Sequence, residues 1–179
     1  EVGAANIDTQ VAKIRASKPD WVALWLFSPD PGLALKRLRE FGVKAPIIGI
    51  EYNQDIQSVA GKYSEGYEYT SDYFTPSDDW AKSFATGYEE RYGEAPEFYA
   101  ANYYEDVYVL AEAIKRARAK GGDYWKGDKL SAEIKANPTF KSVYGGEMTY
   151  QDNGVAKKRV ALFKVEGGES KFVKYISRD

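Results

Sequence analysis

Apolar and polar positions recur along this chain with two periods, and each period marks an element. Val11 and Ile14 lie on one helical face behind Asp8, so a short helix capped by Asp8 and ended by Pro19 is predicted. Trp21–Phe27 then runs apolar without alternation, the pattern of a strand buried on both faces. Asp30-Pro31 is a helix start, Leu35, Leu38 and Phe41 share the inward face, and Gly42 stands where a left-handed C-cap is wanted. Pro46–Ile50 is a second apolar strand, and Asn53 caps a third helix that Gly61 closes. Two strands joined by a helix make a βαβ unit, which is right-handed and parallel in nearly all proteins. Ligands in such sheets dock beyond the carboxyl ends of the strands. Those ends are Phe27-Ser28 and Glu51-Tyr52.

The aromatic, β-branched run Gly66–Phe74 predicts another strand. Thr75–Asp79 is polar and marks the crossing into a different unit. Ser77 is then the expected cap of a helix carrying Asp78 and Asp79 in its first turn and a Trp80, Phe84, Tyr88, Tyr92 stripe. From Pro96 a longer helix is predicted to about Lys120, with Ala100, Tyr104, Val107, Ala111 and Ile114 inward. Asp128 caps a short helix ending at Asn137-Pro138. After Phe140 the pattern turns to strands at Val143–Tyr150, Arg159–Val165 and Lys171–Ile176, with turns at Gln151–Gly154 and Gly167-Gly168. Glu1–Ala5 reads as the tail of a strand whose beginning lies upstream, so a fragment or processed product is expected.

Composition narrows the chemistry. The 179 residues include neither cysteine nor histidine, which removes thiolate chemistry and the commonest general base and metal ligand. A net charge of −2 argues against a nucleic-acid surface, so Lys115, Arg116, Arg118 and Lys120 read as a solvated helix end. Neighbouring carboxylates at Asp78-Asp79, Glu89-Glu90 and Glu105-Asp106 point about 100° apart on a helix and do not converge on one atom. They read as solvated faces. Asp152–Gly154 lacks the remaining ligands of a calcium loop. Ser28, Ser64 and Ser71 have no histidine to activate them, so no catalytic set is expected.

Glu51 stands apart because it follows directly on a buried strand. It is either a loop glutamate that begins a turn, or a carboxylate pairing with a ligand ammonium inside a rim of Trp25, Phe27 and Tyr52. Tyr99, near the start of the long helix, is either a core residue or a second ligand contact.

The succession DTQVAKIRASKPD, SPDPGLALKRLREFGVKAPIIG, YAANYYEDVYVLAEAIKRA and VYGGEMTYQDNGVAKKRV resembles the periplasmic leucine/isoleucine/valine-binding family. These are type I extracellular solute-binding proteins of branched-chain amino acid ABC transporters. The resemblance covers nearly the whole chain and corresponds to the C-terminal half of the family. It implies an α/β fold of two Rossmann-like lobes with parallel sheets flanked by helices, and a chain lacking the N-terminal half. On that reading residues 1–73 belong to the C-terminal lobe, 74–154 to the N-terminal lobe, and 155–179 return to the C-terminal lobe. Glu51 matches the acidic position that holds the ligand's α-ammonium. Tyr99 matches an aromatic pocket position of the other lobe, and Trp25, Phe27 and Ser28 match the strand end bordering the cleft.

The implied function is binding of a small metabolite and its delivery to a membrane permease by hinge closure, in the periplasm or, in a Gram-positive cell, as a secreted or lipid-anchored protein. No cofactor, metal or nucleic acid is implied, and the chain is expected not to be an enzyme. The loops Phe27–Pro31 and Tyr52–Gln54 depart from those of the amino-acid binders, which leaves ligand identity open. A sensory receptor domain of the same fold is the alternative, a hydrolase or transferase the more distant one. A dimer of the fragment would cover surfaces that a missing half would bury.

Overall fold

A computed structural model describes residues 6–176. In chain order the elements begin α1 (Asp8–Ser17), β1 (Val22–Leu24), α2 (Asp30–Glu40), β2 (Ile47–Gly49) and α3 (Gln54–Ala60). A 3-10 turn (Gly61–Ser64), β3 (Glu68–Ser71), α4 (Asp79–Tyr92), α5 (Phe98–Lys120) and α6 (Gly127–Ala136) follow. The chain ends with β4 (Thr139–Lys141), β5 (Glu147–Tyr150), β6 (Ala156–Lys157), β7 (Val160–Glu166) and β8 (Glu169–Ile176). Two compact units result: residues up to Ser71 together with those from Val160, and Asp72–Arg159. The expected strand tail at Glu1–Ala5 lies outside the described residues.

The first unit is built on a five-stranded sheet in the order β1-β2-β3-β7-β8. β1 to β3 are parallel, with Val22 opposite Ile47 and Ile48 opposite Glu68, so the βαβ reading holds. β7 and β8 join antiparallel, Tyr69 opposite Phe163. Its core gathers Val11, Leu24, Leu35, Leu38, Ile47, Ile56, Tyr67, Phe163 and Val165. Gly42, at φ +78, follows α2 as expected. Asn53 caps α3 by accepting the Ile56 N–H at 3.0 Å.

Two expectations in this unit fail. Only one face of β1 is covered among the described residues: Val22 and Leu24 are buried, while Trp21, Ala23, Trp25 and Phe27 are exposed. An unbroken apolar run therefore did not mean burial on both faces. At α1, Asp8 is not the cap. The Asn6 side chain accepts the Asp8 N–H at 2.8 Å, and the Asp8 carboxylate pairs instead with Arg37 of α2 at 2.6 Å.

The second unit packs α4, α5 and α6 with a three-stranded antiparallel sheet, β4-β5-β6. Phe84 stacks on Tyr104 with ring centroids 4.1 Å apart, in a cluster with Ala81, Ala101 and Val143. Here three starts and one face are corrected. Asp78 rather than Ser77 caps α4, accepting the Ala81 N–H at 2.9 Å. α6 begins one residue before Asp128, which sits in its first turn. β4 forms at Thr139–Lys141, and Ser142–Gly146 is a turn rather than strand.

The buried face of α5 consists of Ala101, Glu105, Val109, Ala113 and Ala117, while Val107 and Ala111 lie outside. Glu105 decides the difference. It is only 2% exposed, and its Oε2 accepts the Ser142 hydroxyl at 2.7 Å and the Val143 N–H at 2.6 Å. A carboxylate given two donors can be buried, so polarity alone misassigned the face.

Gly49 is required on β2. A Cβ there would run into the buried Tyr67 hydroxyl. Gly49→Ala is expected to destabilise the first unit by about 1–3 kcal/mol in urea unfolding, and Tyr67→Phe in the same chain to restore part of it. In the second unit, the Ala81 N–H first and Lys141 second hold the Asp78 carboxyl below its ordinary value. A depressed folded value contributes stability above the unfolded value, and that contribution is lost as pH falls through the folded one. Asp78→Asn keeps a capping oxygen but no charge. It should therefore lower the urea midpoint near neutral pH, and the difference from the parent chain should close below about pH 3.9.

Candidate functional site

The carboxyl ends of β1 and β2 are adjacent because the two strands pair in parallel, Leu24 opposite Gly49. Beyond them the chain turns into α2 and α3 through Trp25–Pro29 and Ile50–Asn53. Glu51 is buried at 4% exposure, and its carboxylate accepts the backbone N–H of Ser28. The Ser28 hydroxyl donates to the Asn53 side-chain oxygen at 3.3 Å, the same oxygen that caps α3. From below, the Tyr67 hydroxyl donates to the Glu51 carbonyl at 3.2 Å. Burial, with a smaller push from the Glu51 charge, raises the Tyr67 hydroxyl far above its ordinary value, so it stays a neutral donor.

The six sequence candidates thus fall into different settings. Glu51 and Ser28 are brought together. Trp25 and Phe27 flank them with their rings 69% and 68% exposed, free to cover an apolar group. Tyr52 turns elsewhere: its hydroxyl meets Ser64 Oγ at 3.1 Å and donates to the Gly168 carbonyl at 3.4 Å. Its ring lies 5.9 Å from Tyr69, at the end of a series that continues to Phe163. Tyr99 belongs to the second unit, half-exposed in the first turn of α5, with its ring 4.1 Å from Phe98. Asn53 and Tyr67 were not among the candidates. The cap position of Asn53 was visible, but its second bond depends on the Ser28 loop; nothing local in the sequence announces Tyr67.

The chemistry offered at the strand ends is that of acceptors: a carboxylate, a hydroxyl and an amide oxygen. Such a set favours an ammonium and activates no nucleophile. Among the described residues no group of three or more acidic side chains is placed to hold a metal. No described helix is long and apolar enough to cross a membrane.

A family described as periplasmic binding protein matches residues 1–170. The chain belongs to that family. Among solved structures it is similar to a leucine-binding protein of Thermotoga maritima, with 26% identity over 98% of this chain and 49% of that one, and a TM-score of 0.82. A solute-binding protein of an ABC transporter from R. palustris, in complex with benzoate, shares the fold at 20% identity, covering 99% and 49% of the two chains with a TM-score of 0.72. So does a leucine-, isoleucine-, valine-, threonine- and alanine-binding protein from Brucella ovis, at 22% identity, 99% and 48% coverage and a TM-score of 0.74. No curated protein matches the chain. The chain therefore spans about half the length of these solved relatives. The α/β lobe architecture of type I periplasmic binding proteins is the fold observed, and membership in a family of binding proteins agrees with the expectation of a non-enzyme.

Because Glu51 satisfies the Ser28 N–H, its removal has a structural cost separate from any ligand. Glu51→Ala should lower the stability of the first unit by about 1–3 kcal/mol, and Glu51→Gln, which keeps an acceptor oxygen, by clearly less. Chemical denaturation monitored by circular dichroism reads both.

Proposed function

We propose that this chain is about half of an ABC-transporter solute-binding protein, contributing to a site for an aminated small metabolite of the branched-chain amino acid kind in the periplasm or outside the cell. The observation that carries the reading is the buried Glu51 carboxylate at the end of β2, held by Ser28 beside the exposed rings of Trp25 and Phe27. In this reading the ligand ammonium pairs with Glu51, the Ser28 hydroxyl orients a neighbouring polar group, and Trp25 and Phe27 cover the apolar side chain. Tyr52 acts indirectly, by fixing the loop that carries Glu51. Tyr99 supplies an aromatic contact from the second unit, residues to 73 and from 155 being the C-terminal lobe and 74–154 part of the N-terminal lobe.

Relatives support the class. The Thermotoga relative is a leucine-binding protein, and the R. palustris relative is in complex with benzoate, which has no ammonium. The presence of Glu51 favours the aminated class for this chain. Ligand bound by both lobes would favour the closed form that a membrane permease recognises.

The test is calorimetric titration of leucine, isoleucine and benzoate into the complete protein that contains this chain. Leucine or isoleucine should bind, and Glu51→Gln should weaken that binding by tenfold or more, about 1.4 kcal/mol, while leaving the folded signal intact. Tyr99→Ala should weaken it to a smaller extent. Unchanged affinity in Glu51→Gln, or tight binding of benzoate alone, would reject the ammonium-binding role.

A further inference from the structure

The second unit contains a cavity of about 540 Å³ to which no role in the strand-end site can be given. Its size falls inside the range of about 300–1,000 Å³ usual for small-molecule pockets. Tyr108, Val109 and Arg116 line it from α5, Trp80 from the first turn of α4, and Phe140 and Lys141 from β4. Val109 and Phe140, both buried, make an apolar floor.

Three features specify what would fit. First, the walls are aromatic: the Trp80 and Tyr108 rings meet edge to face at 5.0 Å. A flat apolar body can lie against them. Second, each of two rings already carries a cation. Lys141 Nζ is 5.1 Å from the Trp80 ring centroid, and the Arg116 guanidinium is 4.9 Å from that of Phe140. A cationic ligand would be repelled from a box whose faces are so occupied. Third, a chain of hydrogen bonds ends at the cavity. The Trp80 indole N–H donates to the Tyr104 hydroxyl at 3.2 Å, and Tyr104 donates to the Tyr108 hydroxyl at 3.2 Å. Tyr108 is left with its own proton to donate, and each bond in such a chain polarises the next.

We infer that this cavity binds a planar aromatic carboxylate of one or two rings. The ring system lies on Val109 and against the ring edges of Trp80 and Phe140, whose faces are taken by Lys141 and Arg116. The carboxylate accepts from the Tyr108 hydroxyl and from Lys141. Lys141 spends one of its three donors on Asp78, 3.0 Å away, and so can serve both. Arg116 and Lys115 share the single Glu112 carboxylate, at 3.0 and 3.7 Å, so this part of the rim keeps a net positive charge. A polyanion such as a nucleotide fits less well, because Lys141 and Arg116 are already paired with Asp78 and Glu112 and the Glu112 carboxylate lines the cavity.

The test uses the complete protein that contains this chain and 2-naphthoate, followed through the tryptophan indole N–H resonances in NMR. Trp80 should shift in a saturable manner with a Kd below about 1 mM, while the exposed Trp21, Trp25 and Trp125 stay in place. Tyr108→Phe and Lys141→Gln should each weaken binding by about fivefold or more. Both side chains are substantially exposed, and the retained dispersion of the spectrum reports that the variants fold. Glu51→Gln should change nothing here, which separates this site from the one at the strand ends. The inference is overturned if no saturable Trp80 shift appears, if 2-naphthylmethanol binds as well as the acid, if all four indoles shift together, or if neither variant weakens binding.

Discussion

Much of the first unit depends on a single close approach, that of the Tyr67 hydroxyl to the backbone of β2. Gly49 leaves room for it, and the hydroxyl uses that room to donate to the Glu51 carbonyl at 3.2 Å. The bond fixes the chain where it leaves the sheet, and so fixes the direction in which the Glu51 side chain departs. That side chain then reaches across to the N–H of Ser28, at the end of the neighbouring strand. One buried phenol thereby sets the geometry of two strand ends. Its neutrality is secured by burial, and a donor that cannot ionise near neutral pH makes a constant contact. The aromatic series from Tyr67 through Tyr69 to Phe163, with centroids 5.9 and 5.2 Å apart, carries the same constraint into β7.

A second buried carboxylate uses the same physics for a different end. Glu105 accepts from Ser142 and from the Val143 N–H, and so fastens the turn between β4 and β5 to the long helix α5. Near it, the Tyr144 hydroxyl donates to Asn102 at 2.9 Å, and Lys158 pairs with Asp72 at 2.9 Å and donates to Asn102 at 2.8 Å. The first and last stretches of the second unit are thus tied to one helix. Both Glu51 and Glu105 are buried because backbone N–H groups without a partner of their own would otherwise be lost from water. Glu105 sits among elements that cover it on every side. Glu51 sits at a strand end, next in the chain to Tyr52 and across from the Trp25–Pro29 loop, so the two buried carboxylates occupy different places in the fold.

The parts of the fold that could be read from the chain are those governed by local chemistry. The Asn53 cap, the glycine after α2 and the parallel pairing of two apolar runs all follow from what a few neighbouring residues can do. Errors arose where a distant partner decides. Asp8 was expected to cap its helix, but Arg37, far along the chain, offers it an ion pair and Asn6 takes the capping bond. Of the expected inward face of α5, Ala100, Tyr104, Val107, Ala111 and Ile114, Tyr104 and Ala100 pack inward, but Val107 and Ala111 lie outside because Glu105, polar by type, takes the buried position. The two donors that make Glu105 buriable lie almost forty positions later. β1 reads as a doubly buried strand, yet among the described residues only one of its faces is covered, and which faces a second layer covers is decided by the tertiary arrangement and not by any residue in Trp21–Phe27. Of the strand-end group, Glu51 and Ser28 were legible from the rule that ligands dock at the carboxyl ends of parallel strands. The Tyr52 hydroxyl is engaged by Ser64 and by a glycine from the far end of the chain, partners that no neighbouring residue announces.

Burial of Glu51 argues for rather than against a role in recognition. A carboxylate on the surface pairs weakly with an ammonium, because water and salt screen it and the side chain must be ordered on binding. At 4% exposure most of its hydration has already been given up in folding, and the Ser28 N–H offsets part of that cost. Its rotamer is fixed before any ligand arrives. What a ligand ammonium then meets is an oriented charge in a poorly solvated setting, so that little further ordering opposes the contact. The same bond that stabilises the folded chain therefore prepares the site, and a substitution that keeps the acceptor but removes the charge separates the two contributions.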